Sequence, residues 1–188
     1  MKYFQKLVGK DVYLSPMNVE DAPTYTRWMN DFQVTDGIGA SRRIMSIKAE
    51  LDWLNSELSS SSEYQFAIVR KSDDKLLGNC SVHGVNAISQ SAEVGLFIGD
   101  SENRERGYGT QVMELLLSYA FFYLNMHNVM LKVFSFNERA IHVYEKVGFK
   151  EIGRRRQNYY LNGKYYDDVF MDILKDEFPV NHIENTNV

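Results

Sequence analysis

Apolar and polar positions along this 188-residue chain recur with two periods. Where they alternate every second residue, or run together briefly, strands are expected: residues 12–14, 65–69, 76–85, 92–98, 129–134, 149–156 and 164–174. Where apolar residues return every third or fourth place, helices are expected. One follows Asn18, a capping residue trailed by Glu20 and Asp21, and runs through Tyr25, Trp28 and Met29. A second starts at Ser46 and carries Ile47, Leu51, Leu54 and Leu58. A third, opening near Thr110, sets Val112, Leu115, Leu116, Tyr119 and Tyr123 on one face. A fourth spans 138–147 and stops at Gly148, the usual place for a helix-ending glycine. Residues 30–43, with Gly37 and Gly39 and no period, read as a loop; residues 71–75 and Asn162-Gly163 read as hairpin turns. The order β-α-α-β-β-β-α-β-α-β-β predicts an α+β fold, a three-layer mixed sheet flanked by about four helices. A doubly wound fold would alternate strand and helix throughout.

Composition narrows the class. A chain that is 44% hydrophobic and 13% aromatic can bury a large core, and its length favours one domain, set at 1–175 with a loose polar tail at 176–188. The serine run 59–62 reads as a flexible connection. A net charge of −4 argues against a nucleic-acid binder. The N-terminus shows no continuous apolar run of the kind that marks a signal peptide. The longest apolar stretch, 115–124, is half a membrane span. A soluble, cytoplasmic protein is expected. Cys80 is the single cysteine, in an apolar setting that suits a buried, inert thiol. His127, His142 and His182 lack ligand spacing, so no metal is expected.

Between the apolar run 94–98 and the third helix lies Arg104-Glu105-Arg106-Gly107-Tyr108-Gly109. A strand, a glycine-punctuated turn and a helix make a phosphate cradle: backbone N–H groups converge, and the helix adds its positive end. Neither a ribose-binding acid nor a Gly-Lys-Ser/Thr phosphate loop accompanies it, so the phosphate is of another kind. Further on stands Asn137-Glu138-Arg139-Ala140-Ile141-His142-Val143-Tyr144-Glu145-Lys146-Val147-Gly148-Phe149. The helical spacing puts Asn137, Ala140 and Tyr144 on one side.

Taken in order, these two stretches resemble the GNAT superfamily of N-acetyltransferases. Trp28-Met29-Asn30-Asp31, Ala92-Glu93-Val94-Gly95 and Leu161-Asn162-Gly163-Lys164-Tyr165 are similar to the branch that holds the ribosomal-protein N-terminal and the spermidine acetyltransferases. The resemblance implies a mostly antiparallel sheet with a splayed parallel pair, and acetyl-CoA as donor. It implies that the backbone of Arg104, Glu105, Arg106, Gly107, Tyr108, Gly109 and Thr110 holds the pyrophosphate. Phe97, Ile98 and Gly99 would offer strand-edge hydrogen bonds to the pantetheine arm, Asn137 would bond it, and Ala140 would let it lie close. Tyr144 would be the general acid for the departing thiolate. Glu93 is the candidate base, through water, with His83 as the alternative; Ser81 stands where spermidine acetyltransferases carry a further acid. Tyr159, Tyr160, Tyr165 and Tyr166 flank the last hairpin and would meet the acceptor or a second subunit. The acceptor implied is the primary amine of a small molecule; a protein N-terminus is the alternative, and a catalytically silent CoA-binding module the third. A homodimer fits the same resemblance.

Overall fold

Alternation sorts the side chains of each strand onto two faces, and each face is covered by helices. A computed structural model describes residues 2–59 and 64–179; residues 60–62 of the serine run and the tail beyond 179 lie outside them. Among the described residues, eight strands form one sheet in the order β1-β2-β3-β4-β5-β6-β8-β7. They are β1 (Leu7–Val8), β2 (Val12–Pro16), β3 (Tyr64–Arg70), β4 (Lys75–Asn86), β5 (Ser91–Ile98), β6 (Asn128–Phe134), β7 (Lys150–Leu161) and β8 (Lys164–Leu174). On one face Leu14, Ile68, Cys80, Val82, Val94, Val129 and Met171 pack under α4 (Tyr108–Ser118) and α5 (Glu138–Val147). On the other, Tyr13, Ala67, Val69 and Leu76 pack under α1 (Ala22–Met29) and α3 (Ile47–Ser59). Cys80 is buried, as expected, and burial pushes its thiol pKa up.

Every neighbouring pair of strands is antiparallel except β5 and β6. That parallel pair holds for only three positions, Ser91 with Asn128, Ala92 with Val129 and Glu93 with Met130. Beyond Glu93 the strands part: β6 stays paired to β8 as far as Phe134, and β5 stays paired to β4 as far as Ile98.

The element pattern departs from expectation at four places. Within 30–43, expected as a loop, Phe32–Ile38 forms α2, capped by Asp31, whose side chain accepts from the Gln33 amide at 2.9 Å, and closed by Gly39 at φ 73°. Seven residues, one of them Gly37, are too few to show a helical period. Tyr123 leaves the α4 face because Tyr119–Tyr123 is a π-helical turn, whose wider winding rotates it outward to 55% exposure. The tail is anchored at its start: Lys175–Glu177 is a 3₁₀ turn, Lys150 pairs with Glu177, and buried Phe178 meets the Phe121 ring at 5.6 Å. Leu7–Val8 adds a two-residue edge strand too short to read from a pattern.

Trp28, fully buried, fixes α1 onto β5. Its Nε1 donates to Asp100 Oδ1 at 2.9 Å, its ring meets Phe97 edge-on at 5.9 Å, and a Cβ on Gly99 would lie 2.0 Å from the indole. Gly99 therefore exists to let the indole lie on the backbone. Gly99→Ala forces the ring or the strand to move and is expected to cost roughly 1–3 kcal/mol of stability, as overpacking does. Gly153→Ala, where the new atom meets nothing within 4 Å, is expected to stay within about 0.5 kcal/mol of the parent. Urea unfolding of the two variants checks this; equal stabilities would remove the indole contact as the reason for the glycine.

Candidate functional site

The place where β5 and β6 part is a sheet with one missing strand. Gly99 donates its amide to Leu77 O on β4 at 2.9 Å, and alternation then assigns the backbone groups of Phe97, Gly95 and Glu93 to β4 as well. The intervening residues turn the other way. Leu96 and Ile98 aim their amides into the gap, past the last β5–β6 pair. The strand-edge trio expected from sequence is thus corrected: Ile98 faces the gap, whereas Phe97 and Gly99 bond β4, and Leu96 takes the place they were given. Which of two interleaved sets faces which neighbour depends on strand order, and no sequence period carries that.

At the far end of β5 the chain makes a 3₁₀ turn (Ser101–Asn103), then enters α4 through Glu105 at φ 60° and Gly107 at φ 78°. The first amide bonded within the helix is Gln111, to Gly107 O at 3.2 Å, and Gly107 gives no side-chain cap. The amides of Tyr108, Gly109 and Thr110 therefore lead the helix with no partner inside it. The arginine side chains do something else. Arg104 folds back to the last carbonyls of β5, donating to Gly99 O at 2.8 Å and Ile98 O at 3.3 Å, and Arg106 donates to Glu102 O at 2.8 Å. Both side chains brace the turn, and Glu105 lies 3.9 Å from Arg139 of α5. The cradle is built of backbone.

Across the gap, α5 lies beside α4, with Val143 4.0 Å from the place a Cβ on Gly109 would take. Asn137 caps α5 by accepting from the Ala140 amide at 3.3 Å, and its Nδ2 faces Gly37 of α2. Ala140, Ile141 and Val143 are half-buried against the same apolar cluster as Leu96, Ile98 and Tyr108, so the two walls of the gap share one floor. Tyr144 is buried in that cluster, edge-on to Phe149 at 6.0 Å. Burial alone pushes its pKa up to about 12.

The opposite face of the gap is roofed by α2. Gly39 sits against Phe134, which stacks on Tyr159 at 3.9 Å and on Phe136 at 5.6 Å, and Tyr166 meets Phe136 edge-on. Tyr159 and Tyr166 thus belong to this wall, while Tyr160 and Tyr165 pair outside it, 47% and 64% exposed. Glu93 stands at the fork where pairing ends, its side chain 47% exposed, with Oε2 3.8 Å from His83 Nε2. Among the described residues no group of three or more His, Cys, Asp or Glu gathers as metal ligands do. Nor is any helix among them long and apolar enough to cross a membrane.

A parallel pair that parts after three positions, an uncapped helix at one end and an asparagine-capped helix with a buried tyrosine across from it define an acyl-transfer fold. The chain belongs to the acetyltransferase (GNAT) domain family, whose model matches residues 14–170. It is 31% identical over 124 residues to the spermidine N(1)-acetyltransferase of Vibrio cholerae, covering 66% of this chain and 70% of that one. It is 33% identical over 106 residues to the putative ribosomal N-acetyltransferase YdaF of Bacillus subtilis, covering 56% of this chain and 57% of that one. A crystal structure of spermidine N-acetyltransferase from Vibrio cholerae in complex with CoA and spermine shares the fold, with a TM-score of 0.81 at 24% identity over 90% of this chain and 98% of that one. The mixed sheet with one splayed parallel pair, expected from the resemblance, is the observed architecture.

If the edge of β5 is a binding surface, its amides must report on it. In the free protein Leu96 and Ile98 are expected to exchange hydrogen with water faster than Gly95, Phe97 and Gly99, which bond β4. Added CoA is expected to slow Leu96 and Ile98 by about tenfold or more. Amide exchange followed by NMR checks this, and equal protection of both sets in the free protein would place the open edge elsewhere.

Proposed function

We propose that this protein moves an acetyl group from acetyl-CoA to the primary amine of a small molecule, by direct attack while both are bound. The observation that carries the reading is the pair of amides, Leu96 and Ile98, left without a strand partner between the open amides of Tyr108, Gly109 and Thr110 and the buried hydroxyl of Tyr144. The residues present fit the donor. The helix end and the turn from Arg104 to Thr110 suit a pyrophosphate. The β5 edge suits the amides of a pantetheine arm laid beside it as an added strand, and the half-buried apolar floor suits its methylenes. Asn137 keeps its Nδ2 for the same arm after capping α5 with Oδ1. Similarity to a spermidine N(1)-acetyltransferase supports a small amine as acceptor. A cytoplasmic setting accords with the free, buried thiol of Cys80, which is too inert for an acyl-enzyme.

Tyr144 is the proton donor to the departing sulfur. A phenol with a pKa near 12 keeps its proton at any pH where the enzyme would be assayed. It is also a weaker acid than an ordinary thiol, at about 8.5. A full negative charge on sulfur is still a weaker base than the phenolate, so the transfer is completed by the proton that leaves the attacking nitrogen and replaces the one Tyr144 gives. An amide at the edge of β5, Leu96 or Ile98, polarises the thioester carbonyl.

Two measurements test this. CoA release is followed with a panel of polyamines, amino sugars, amino acids and amine drugs, and in parallel with peptides of varied first residue. Turnover on small amines is expected, and turnover on peptides alone would overturn the acceptor class in favour of a protein N-terminus. Tyr144→Phe is expected to bind acetyl-CoA as the parent does and to lose about tenfold or more in kcat. Because its pKa lies near 12, Tyr144 in its protonated form contributes fully below about pH 11, so any basic limb seen at lower pH should survive in Tyr144→Phe. Unchanged turnover, with chemistry limiting, would take Tyr144 out of the reaction.

A further inference from the structure

At the fork of the gap three side chains from adjacent strands converge: Ser81 and His83 of β4 and Glu93 of β5. We infer that His83 is the base that takes the acceptor's ammonium proton, with Ser81 and Glu93 as the residues that position its ring; this rests on the acetyltransferase reading given above. His83 and Glu93 are directly paired across the two strands, so they share a face. Their side chains then cross. The imidazole leans over β5, with Cε1 3.8 Å from the space a Cβ on Gly95 would fill. The glutamate leans the other way, over β4, with Oε1 3.8 Å from the corresponding point on Gly84. Two glycines leave room for the exchange. Its outcome is that the imidazole, and not the carboxylate, lies one step along β5 towards Leu96 and Ile98.

Both ring nitrogens are accounted for. Nδ1 is 3.1 Å from Ser81 Oγ, a hydrogen bond. Nε2 is 3.8 Å from Glu93 Oε2, too long for one. In one tautomer Ser81 O–H donates to Nδ1; in the other, the one that can act as a base, Nδ1–H donates to Ser81 Oγ and Nε2 carries a lone pair beside the carboxylate. Two acceptors facing one another in this way ask for a proton-bearing group between them, and an ammonium or a water molecule satisfies both. The side chains, 36% and 47% exposed, open to the acceptor side. The other charged groups on this face have partners of their own. Glu57 of α3 bonds Gln65, which lies opposite Ser81. Lys132 of β6 is 3.6 Å from Asp168, and Asp172 of β8 accepts from Asn128. Glu93 is the carboxylate against the ring.

The protons balance. The ammonium gives one proton to His83 Nε2, and Glu93 neutralises the imidazolium until that proton passes to solvent. The free amine attacks the thioester carbon and a carbon–nitrogen bond forms. As the carbon–sulfur bond breaks, Tyr144 protonates the sulfur, and the second proton leaving nitrogen replaces the one Tyr144 gave. An imidazole is the side chain suited to taking and releasing a proton near neutral pH.

The test compares pH–rate profiles of parent, His83→Gln and Glu93→Gln with the best acceptor from the amine panel, so that the acceptor's own titration is common to all three. His83→Gln is expected to lose about 100-fold in kcat at neutral pH, to lack the parent's acidic limb, and to bind acetyl-CoA as before. Glu93→Gln is expected to lose about tenfold and to keep an acidic limb, because the imidazole that takes the proton is still in place. Added imidazole should restore part of the activity of His83→Ala, which a purely structural defect would not allow, and thermal unfolding of each variant guards against misfolding. A parent-like acidic limb in His83→Gln overturns the inference while leaving the acetyltransferase reading intact. Loss of the limb in Glu93→Gln alone gives the base to Glu93. A parent enzyme inactive on every amine sinks the acceptor reading, and this inference with it.

Discussion

Leaving a strand edge unpaired inside a sheet is costly, because amides removed from water need partners. The structure depends on tolerating that cost at one place. β5 and β6 are held together for three positions by the parallel ladder and held apart thereafter by their other neighbours. β6 follows β8 through seven pairs, while β5 follows β4 and is tied to α1 by Trp28 and Asp100. Neither strand can relax into the gap without giving up its own ladder, so the opening is rigid. A rigid opening with donors pointing into it is what a ligand with amides in its backbone can fill without ordering the protein first.

The same constraint separates anchoring from chemistry. At the end of β5 the guanidinium of Arg104 holds two carbonyls, and burial among them lowers its own pKa. It shapes the turn so that the amides of α4 are the outward-facing positive end. The glycine turn that is the most legible motif of the chain therefore has backbone amides to offer a ligand, and the side chains of Arg104 and Arg106 serve the fold. In the proposed reaction the chemistry falls instead to a buried hydroxyl on one face of the sheet and an exposed imidazole–carboxylate pair on the other.

Much of this was legible in the residues and some was not, for reasons that differ. Asn137, Ala140, Tyr144 and Gly148 sit on a helix whose 3.6 period and glycine stop are local properties, so both boundaries and facing were readable. The turn at Gly107 was readable for the same reason, while Gly109 belongs to α4, which opens at Tyr108. The choice between Phe97, Ile98 and Gly99 was not, because it depends on β4 lying beside β5, which is a matter of topology. α2 escaped because a seven-residue helix containing Gly37 has too little period to register. The meeting of His83 with Glu93 is a cross-strand event, and only the register that sets them opposite makes it visible.

In the proposed reaction, donor and acceptor sides are read by different kinds of atoms, and this bears on how such a fold changes substrate. The donor side uses main-chain amides of β5 and α4, which most substitutions leave in place. On the acceptor side, side chains do the work: Phe134, Phe136 and Tyr159 under α2, and Ser81, His83 and Glu93 at the fork. Ser81 on β4 brings no charge to this side, and its hydroxyl meets the imidazole of His83. A chain that keeps its glycine turn and its Asn137–Tyr144 helix can in this way retain the donor while altering which amine it accepts and how that amine loses its proton.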